Sequence, residues 1–316
     1  PVNITIWGGQ TDLAQALWRV RTDRGDGGLQ KFWKKVRVYD IADQDGIADW
    51  MMEEFLTPGS FYILSKAPKG QDKREAAFRG MYLDGDESLV SRQWMETHIR
   101  KNHGPLGALY PPKTWTAPNP HSAIKEGDTP SWFYFLANGL SDLDHPDWGS
   151  WGGRFEKQAF GRWQDAKDQV GKVTNARATV WRWREAYQTD FQGRLDWCVS
   201  EKFAQANHAP VAVLNGDTSN KVFHLKAKPG ELVHLSAAGC NDPDRDELQA
   251  RWFVYPEPGT FAGSLELATV DKLATSFTAP NVTQPLTLHI ILEVRDDGTP
   301  NLRTYRRAVV QVMGQP

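Results

Sequence analysis

The 316-residue sequence is short of several things, and each shortage removes a class of protein. Cysteine occurs only at Cys198 and Cys240, which rules out a disulfide framework and leaves the pairing of those two open. There is no excess of positive charge: 37 Lys and Arg stand against 39 Asp and Glu, for a formal net charge of −2. Without a basic face to neutralise phosphates, no nucleic-acid partner is expected. No apolar run approaches the roughly 18 residues that a membrane span requires; stretches 132–137 and 286–292 are short and broken. A soluble protein with no membrane span is therefore expected. Familiar catalytic signatures are missing as well, among them a phosphate loop, a G-x-G-x-x-G turn, a G-x-S-x-G elbow and an H-E-x-x-H helix. The chain opens on Pro1 with no signal-peptide pattern and enters a strand-like run at once, which reads as a cut edge.

Tryptophan, by contrast, is abundant. It occurs fourteen times, as often as phenylalanine, and thirteen of these lie at or before Trp197. Apolar residues make up 40% and charged residues 24%, as in ordinary globular chains. At about 150 residues per domain the length predicts two domains. The loss of tryptophan near residue 205 places the boundary: an α/β domain over 1–206 and an all-β module over 207–316.

The first part alternates buried strands with amphipathic stretches, the mark of a parallel α/β sheet. Residues 3–7, 36–41 and 61–65 read as strands. Helices are predicted from Leu13, Ala14, Leu17 and Val20, as a separate short helix through Phe32 and Trp33 after a glycine-rich break, and over 46–55. One helix is expected over 87–101 and a long one over 176–204. A proline-rich loop with Pro105, Pro111, Pro112, Pro118 and Pro120 lies between them. In such a sheet, ligands bind at the carboxyl ends of the strands. From residue 207 the period becomes two, with strands over 211–213, 232–235, 248–254, 286–294 and 306–312 separated by turns, as in an immunoglobulin-like β-sandwich.

Three places could carry chemistry. After the first strand, Gly8-Gly9-Gln10-Thr11-Asp12 opens a helix, and glycines there let a ligand or an ion approach the backbone. Gly127-Asp128-Thr129-Pro130 heads an aromatic helix; its carboxylate could ligate a cation or grip a sugar diol, or else simply cap the helix. The loop with Asp142, Asp144, His145, Asp147, Trp148 and Trp151 combines carboxylates with flat rings, which suits a saccharide, although buried tryptophans beside a solvated acidic turn would look the same. His98, His103 and His121 have no metal-ligand spacing. In the β module, Asp242, Asp244 and Asp246 fit either a calcium loop or an Asx-type turn, and Glu247 stands where an EF-hand requires glycine.

The β module resembles the polycystic-kidney-disease and cadherin-like modules that follow many secreted bacterial carbohydrate-active proteins, on the strength of Asn241-Asp242-Pro243-Asp244-Arg245-Asp246 and Val294-Arg295-Asp296-Asp297-Gly298. In the α/β part, Gly8-Gly9 with Thr11-Asp12-Leu13-Ala14 resembles a segment of nucleoside hydrolases. Residues 38–45 (Val-Tyr-Asp-Ile-Ala-Asp-Gln-Asp), 127–131 and 146–154 (Pro-Asp-Trp-Gly-Ser-Trp-Gly-Gly-Arg) extend the likeness over essentially the whole chain. They resemble the bacterial nucleoside-hydrolase-like, cellulose-binding family.

The resemblance implies that Asp128 is a calcium ligand and sugar-hydroxyl acceptor, and that Thr11 offers its backbone carbonyl to the same ion. Asp147, Trp148, Trp151 and Arg154 join Asp128 as the expected substrate-binding set. Calcium would then activate a water for attack at an anomeric carbon. Two departures bear on this. The aspartate-rich motif that nucleoside hydrolases carry ahead of this segment is absent, so a missing N-terminal part of the same protein is an expected partner. Gly127 also replaces the histidine that protonates a nucleobase, which turns the expectation from nucleosides to poly- or oligosaccharides. The resemblance implies a secreted bacterial protein that hydrolyses a glycosidic bond with calcium, or binds carbohydrate on the same fold without catalysis.

Overall fold

The computed structural model describes residues 1–112, 124 and 126–314. Pro118, Pro120 and His121 lie outside the described residues. The chain forms a parallel-sheet α/β part followed by an all-β part. It divides into two units, one of Pro1–Glu87, Lys125–Leu136 and Leu143–Arg184, and the other of Ser88–Ile124, Ala137–Asp142 and Glu185–Pro316.

In the first unit, β1 (Val2–Ile6), β2 (Val36–Ile41) and β3 (Tyr62–Ser65) pair in parallel, with Ile4 opposite Val38 and Val38 opposite Tyr62. Helix α1 (Thr11–Trp33) connects β1 to β2 and α2 (Ala48–Phe55) connects β2 to β3. Leu13, Leu17, Leu29 and Trp33 of α1 and Met51, Met52 and Phe55 of α2 bury against Val38 and Tyr62. Neighbouring residues of a strand face opposite sides, so Tyr39, Ile41 and Ile63 pack in a second core with Phe78, Tyr134, Phe155 and Trp163. Burial on both faces explains why these strands read as continuous apolar runs.

The glycine-rich break does not separate two helices as expected. Only Gly25 leaves helical geometry (φ 64°, ψ −175°), and α1 resumes after it because Leu29 and Trp33 are held in the core. The predicted helix over 87–101 is instead three pieces: a 3₁₀ turn (Glu87–Val90), α3 (Arg92–Met95) and a π turn (Glu96–Arg100), with Ser91 Oγ accepting from Trp94 N–H to start α3. Next come α4 (Gly104–Leu109) and α5 (Thr129–Phe133). The first sheet is then completed by β4 (Phe155–Lys157) and β5 (Arg162–Asp165), in the order β1-β2-β3-β5-β4 with only β4 antiparallel. A small hairpin of β6 (Asp168–Val170) and β7 (Val173–Asn175) leads to α6 (Ala178–Trp181) and α7 (Arg184–Val199). The single helix expected over 176–204 is thus interrupted, since Trp183 N–H bonds three residues back to Val180 O, and it ends in a 3₁₀ turn at Phe203–Gln205.

In the second unit, a four-stranded sheet has the order β10-β12-β13-β8 and a two-stranded sheet pairs β11 with β9. The strands are β8 (Phe223–Ala227), β9 (Leu232–Ser236), β10 (Gln249–Val254), β11 (Ala274–Thr278), β12 (Leu286–Arg295) and β13 (Arg303–Val312). Leu235, Trp252, Phe277, Ile290, Leu292 and Val310 fill the core of this sandwich. The predicted strand over 211–213 reduces to one isolated bridge, Val211 with Asn241, because Val213 N–H is taken by the Cys240 sulfur at 3.2 Å. Both cysteines are free thiols. Helix α7 packs within this unit: Phe191 and Leu195 join Val90, Met95 and Ile99, and Asn207 Nδ2 donates to Pro300 O at 2.8 Å. Part of the sequence before residue 207 packs with the β-sandwich, since Tyr305 N–H bonds Asn138 O at 3.0 Å and Arg303 pairs with Glu185.

Candidate functional site

The carboxyl ends of β1, β2 and β3 gather an unusual density of polar groups. Asp40, the fifth residue of β2, points into the α1 and α2 side of the sheet and is fully buried. Its Oδ2 accepts from Gln10 Nε2 at 2.7 Å and from the Tyr62 hydroxyl at 2.6 Å. Burial pushes its carboxyl up to about 6, against the two hydrogen bonds, which favour the charged form. Gln10 Nε2 also donates to Asp43 Oδ1 at 3.0 Å, and Lys66 Nζ reaches Asp43 Oδ2 at 2.5 Å.

Asp45 turns back to the start of α1. Its Oδ2 accepts from the Thr11 backbone N–H at 2.9 Å and from Thr11 Oγ1 at 2.5 Å, so a carboxylate from the next loop caps the helix. This explains the glycine after β1: a Cβ on Gly9 would stand 2.5 Å from the Asp45 carboxyl carbon. The backbone comes close there to Asp45 of the chain itself, rather than to a ligand or ion.

Asp128 lies at the same end. Its backbone carbonyl accepts from Ser131 Oγ at 2.7 Å, and Ser131 Oγ accepts from Trp7 Nε1 at 2.8 Å, which ties the head of α5 to the end of β1. The Asp128 side chain makes no cap hydrogen bond. It is half-buried, and burial, followed by the nearby Glu126 carboxylate, raises its pKa, while Arg79 opposes them. Two rings on these tied segments stand in solvent: Trp7, whose Nε1 bonds Ser131, at 52% exposure, and Trp132, the next residue after Ser131, at 43%.

The other expected substrate residues are placed differently. Trp151 is only 2% exposed, with its ring 5.7 Å from that of Phe133, and Trp148 is 9% exposed and stacked on His145 at 3.9 Å. Neither offers a face to a sugar, because the 148–153 loop is pressed against α5. Gly152 sits so close that a Cβ would come within 2.6 Å of Pro130 O and Tyr134 N, and its carbonyl accepts from the Tyr39 hydroxyl at 2.8 Å. Arg154 is committed to structure, since its Nε bonds buried Asp168 Oδ1 at 2.7 Å while Arg182 holds the other oxygen at 2.7 Å. Asp147 is half-exposed, with Oδ1 3.7 Å from His145 Nδ1, and Asp144 pairs with Arg37.

Calcium takes about six to eight oxygen ligands. Asp128 and the Thr11 carbonyl supply two at most, and the described residues contain no group of three or more His, Cys, Asp or Glu side chains able to hold a metal. The residues present do not fit the ion. In the sandwich, Asp242 Oδ1 accepts from the N–H groups of Asp244 and Asp246, at 2.7 and 3.2 Å, and Asp244 Oδ2 accepts from His208 N–H at 2.8 Å, which is the Asx-type turn. His103 is buried and pairs with Asp196 at 2.7 Å.

Sequence reasoning missed Asp40, Tyr62 and the exposed Trp7 as site residues, and named Gln10 only as part of the segment after β1. The available signal was position: polar side chains and a tryptophan at strand ends, where an α/β sheet places its ligands.

By sequence, residues 1–155 match the nucleoside hydrolase-like domain of cellulose-binding Sde182, and residues 232–312 match the C-terminal domain of cellulose-binding protein Sde0182. Among solved structures, the chain is similar to a nucleoside hydrolase-related hypothetical protein from Saccharophagus degradans that is associated with carbohydrate metabolism. The two are 32% identical over 99% of this chain and 71% of that one, with a TM-score of 0.78. A 2,6-sialyltransferase from Photobacterium is 11% identical over 30% of this chain and 18% of its own, with a TM-score of 0.21. The PKD domain of the KIAA 1837 protein is 14% identical over 30% and 84%, with a TM-score of 0.22. These two likenesses are too slight to inform the fold. No curated protein matches the chain. Among the described residues, no helix is long and apolar enough to cross a membrane.

Proposed function

The chain belongs to the Sde182 family of cellulose-binding proteins with a nucleoside hydrolase-like domain, and from that membership we propose that the strand-end surface of its α/β unit binds a β-linked glucan without cleaving it. The observation that carries this reading is the pair of exposed rings, Trp7 and Trp132, on the two segments that the Trp7–Ser131–Asp128 hydrogen bonds join. Aromatic faces stack on the apolar faces of pyranose rings, while a carboxylate accepts hydrogen bonds from their hydroxyls. The hydrogen bond from Trp7 to Ser131 and that from Ser131 to the Asp128 carbonyl hold ring and carboxylate in register, so little ordering is left to be done on binding. Cellulose lies outside cells, and this reading places the protein there too.

Hydrolysis of a glycosidic bond is the second reading. One feature favours it: Asp128 is held above the usual carboxylate range, as a general acid must be. The binding reading needs no metal. Incubation of the chain with a panel of cello-oligosaccharides, with and without calcium, separates the two. Binding with no new reducing ends supports the first reading, and release of reducing sugar that is lost in Asp128→Asn establishes the second.

A further inference from the structure

Two further tryptophans stand in solvent on the helices that connect the strands, Trp18 on α1 at 48% exposure and Trp50 on α2 at 51%. Most large rings in the α/β unit are buried, so two such side chains on adjacent helices call for a reason.

The contacts between α1 and α2 bring them onto one surface. The Arg21 guanidinium lies 4.4 Å over the Phe55 ring and bonds Glu54 at 3.2 Å. The Trp50 ring meets the same Phe55 edge-on at 5.6 Å. Trp18 precedes Arg21 by three residues and so is its neighbour on the surface of α1. Two flat rings presented from neighbouring helices suit separate sugar units of an extended glucan chain.

The surrounding charge selects the ligand. Arg19 is paired with Asp23 at 2.7 Å and Arg21 with Glu54, which leaves the basic groups beside Trp18 neutralised. Asp49 and Glu53, both exposed on one side of Trp50, repel polyanions and accept hydrogen bonds from hydroxyls. The ligand that fits flat rings bordered by carboxylates is a neutral polyhydroxylated chain.

We propose that Trp18 and Trp50 form a second carbohydrate platform, which docks the protein on the face of insoluble cellulose independently of the strand-end site. The inference rests on the cellulose-binding reading above but concerns a different surface, so the two can fail separately.

The test is depletion of the whole chain by microcrystalline cellulose beside calorimetric titration with soluble cellohexaose, for wild type, Trp18→Ala/Trp50→Ala and Trp18→Phe/Trp50→Phe, with circular dichroism to verify folding. The expected result is a partition onto solid cellulose that falls more than ~10-fold in the alanine variant, stays near wild type in the phenylalanine variant, and leaves cellohexaose affinity unchanged. Solid-cellulose binding by the alanine variant equal to wild type overturns the platform and spares the strand-end reading. A wild-type dimer that the alanine variant converts to a monomer in sedimentation, with cellulose partition unaltered, overturns it in favour of a self-association surface. A wild-type chain that binds neither form of glucan overturns both readings.

Discussion

Gln10 and Asp40 form a buried amide–carboxyl pair: Gln10 Nε2 donates to Asp40 Oδ2 at 2.7 Å, while Gln10 Oε1 and Asp40 Oδ1 are buried oxygens with no hydrogen-bond partner among the described residues. A buried acceptor left without a donor is costly. A proton on Asp40 turns one of those acceptors into a donor, which agrees with a carboxyl pushed up to about 6.

The sign of the pH effect follows. An Asp with an ordinary pKa of 3.8 when unfolded and about 6 when folded binds more protons in the native state between those values. Its contribution to stability is therefore complete below about pH 4 and is lost as pH rises through about 6. Asp40→Asn keeps an acceptor for Gln10 and Tyr62 and carries no charge. It should be up to about 3 kcal/mol more stable than wild type at pH 8 and nearly equal to it at pH 4, as read from urea unfolding at the two pH values. Asp165, which burial pushes up to about 7, adds to the wild-type trend in the same direction.

Gly9→Ala should cost about 1 kcal/mol, the usual worth of a helix cap, because its Cβ displaces the Asp45 carboxylate from Thr11. In an Asp45→Ala background the same change should cost much less, since the cap is already gone. A double-mutant cycle measures this coupling, and additive losses would show that Gly9 serves another purpose.

Gly152→Ala should be the more damaging substitution, by about 2 kcal/mol or more. Its Cβ would stand 2.6 Å from backbone atoms of Pro130 and Tyr134, which cannot swing aside as a side chain can. Thermal unfolding should show a lower Tm, together with weaker glucan binding, because α5 carries Trp132.

Calcium at millimolar concentration should leave the Tm of this chain unchanged, and Asp128→Ala should behave as wild type in that respect. Differential scanning calorimetry with calcium and with chelator decides the point; a stabilisation that Asp128→Ala abolishes would show a site that the described residues do not reveal.

Much of the fold could be read from the sequence because buried strands and helical stripes are local patterns. β1, β2, β3 and α2 appear where apolar spacing predicted them, and an all-β part follows the α/β part. Helix ends were less legible. α1 continues through Gly25 because Leu29 and Trp33 find a core, and the break before α7 depends on partners far away in sequence, such as the Gly80 carbonyl that accepts from the Arg184 guanidinium. The site was legible only in part. Asp128 was identified by its motif and does lie at the strand ends. Trp148 and Trp151 looked like sugar contacts because a tryptophan in a polar loop reads the same whether its ring faces water or the core. Trp7 and Asp40 escaped because their roles arise from neighbours distant in sequence, Ser131 for Trp7 and Gln10 and Tyr62 for Asp40.

Glucan binding at the strand ends is tested most directly by titration of cellohexaose into wild type and into Trp7→Ala/Trp132→Ala, both shown to be folded. The strand-end reading predicts saturable binding by wild type and at least ~10-fold weaker binding by the variant. Equal affinity in the two proteins would contradict it.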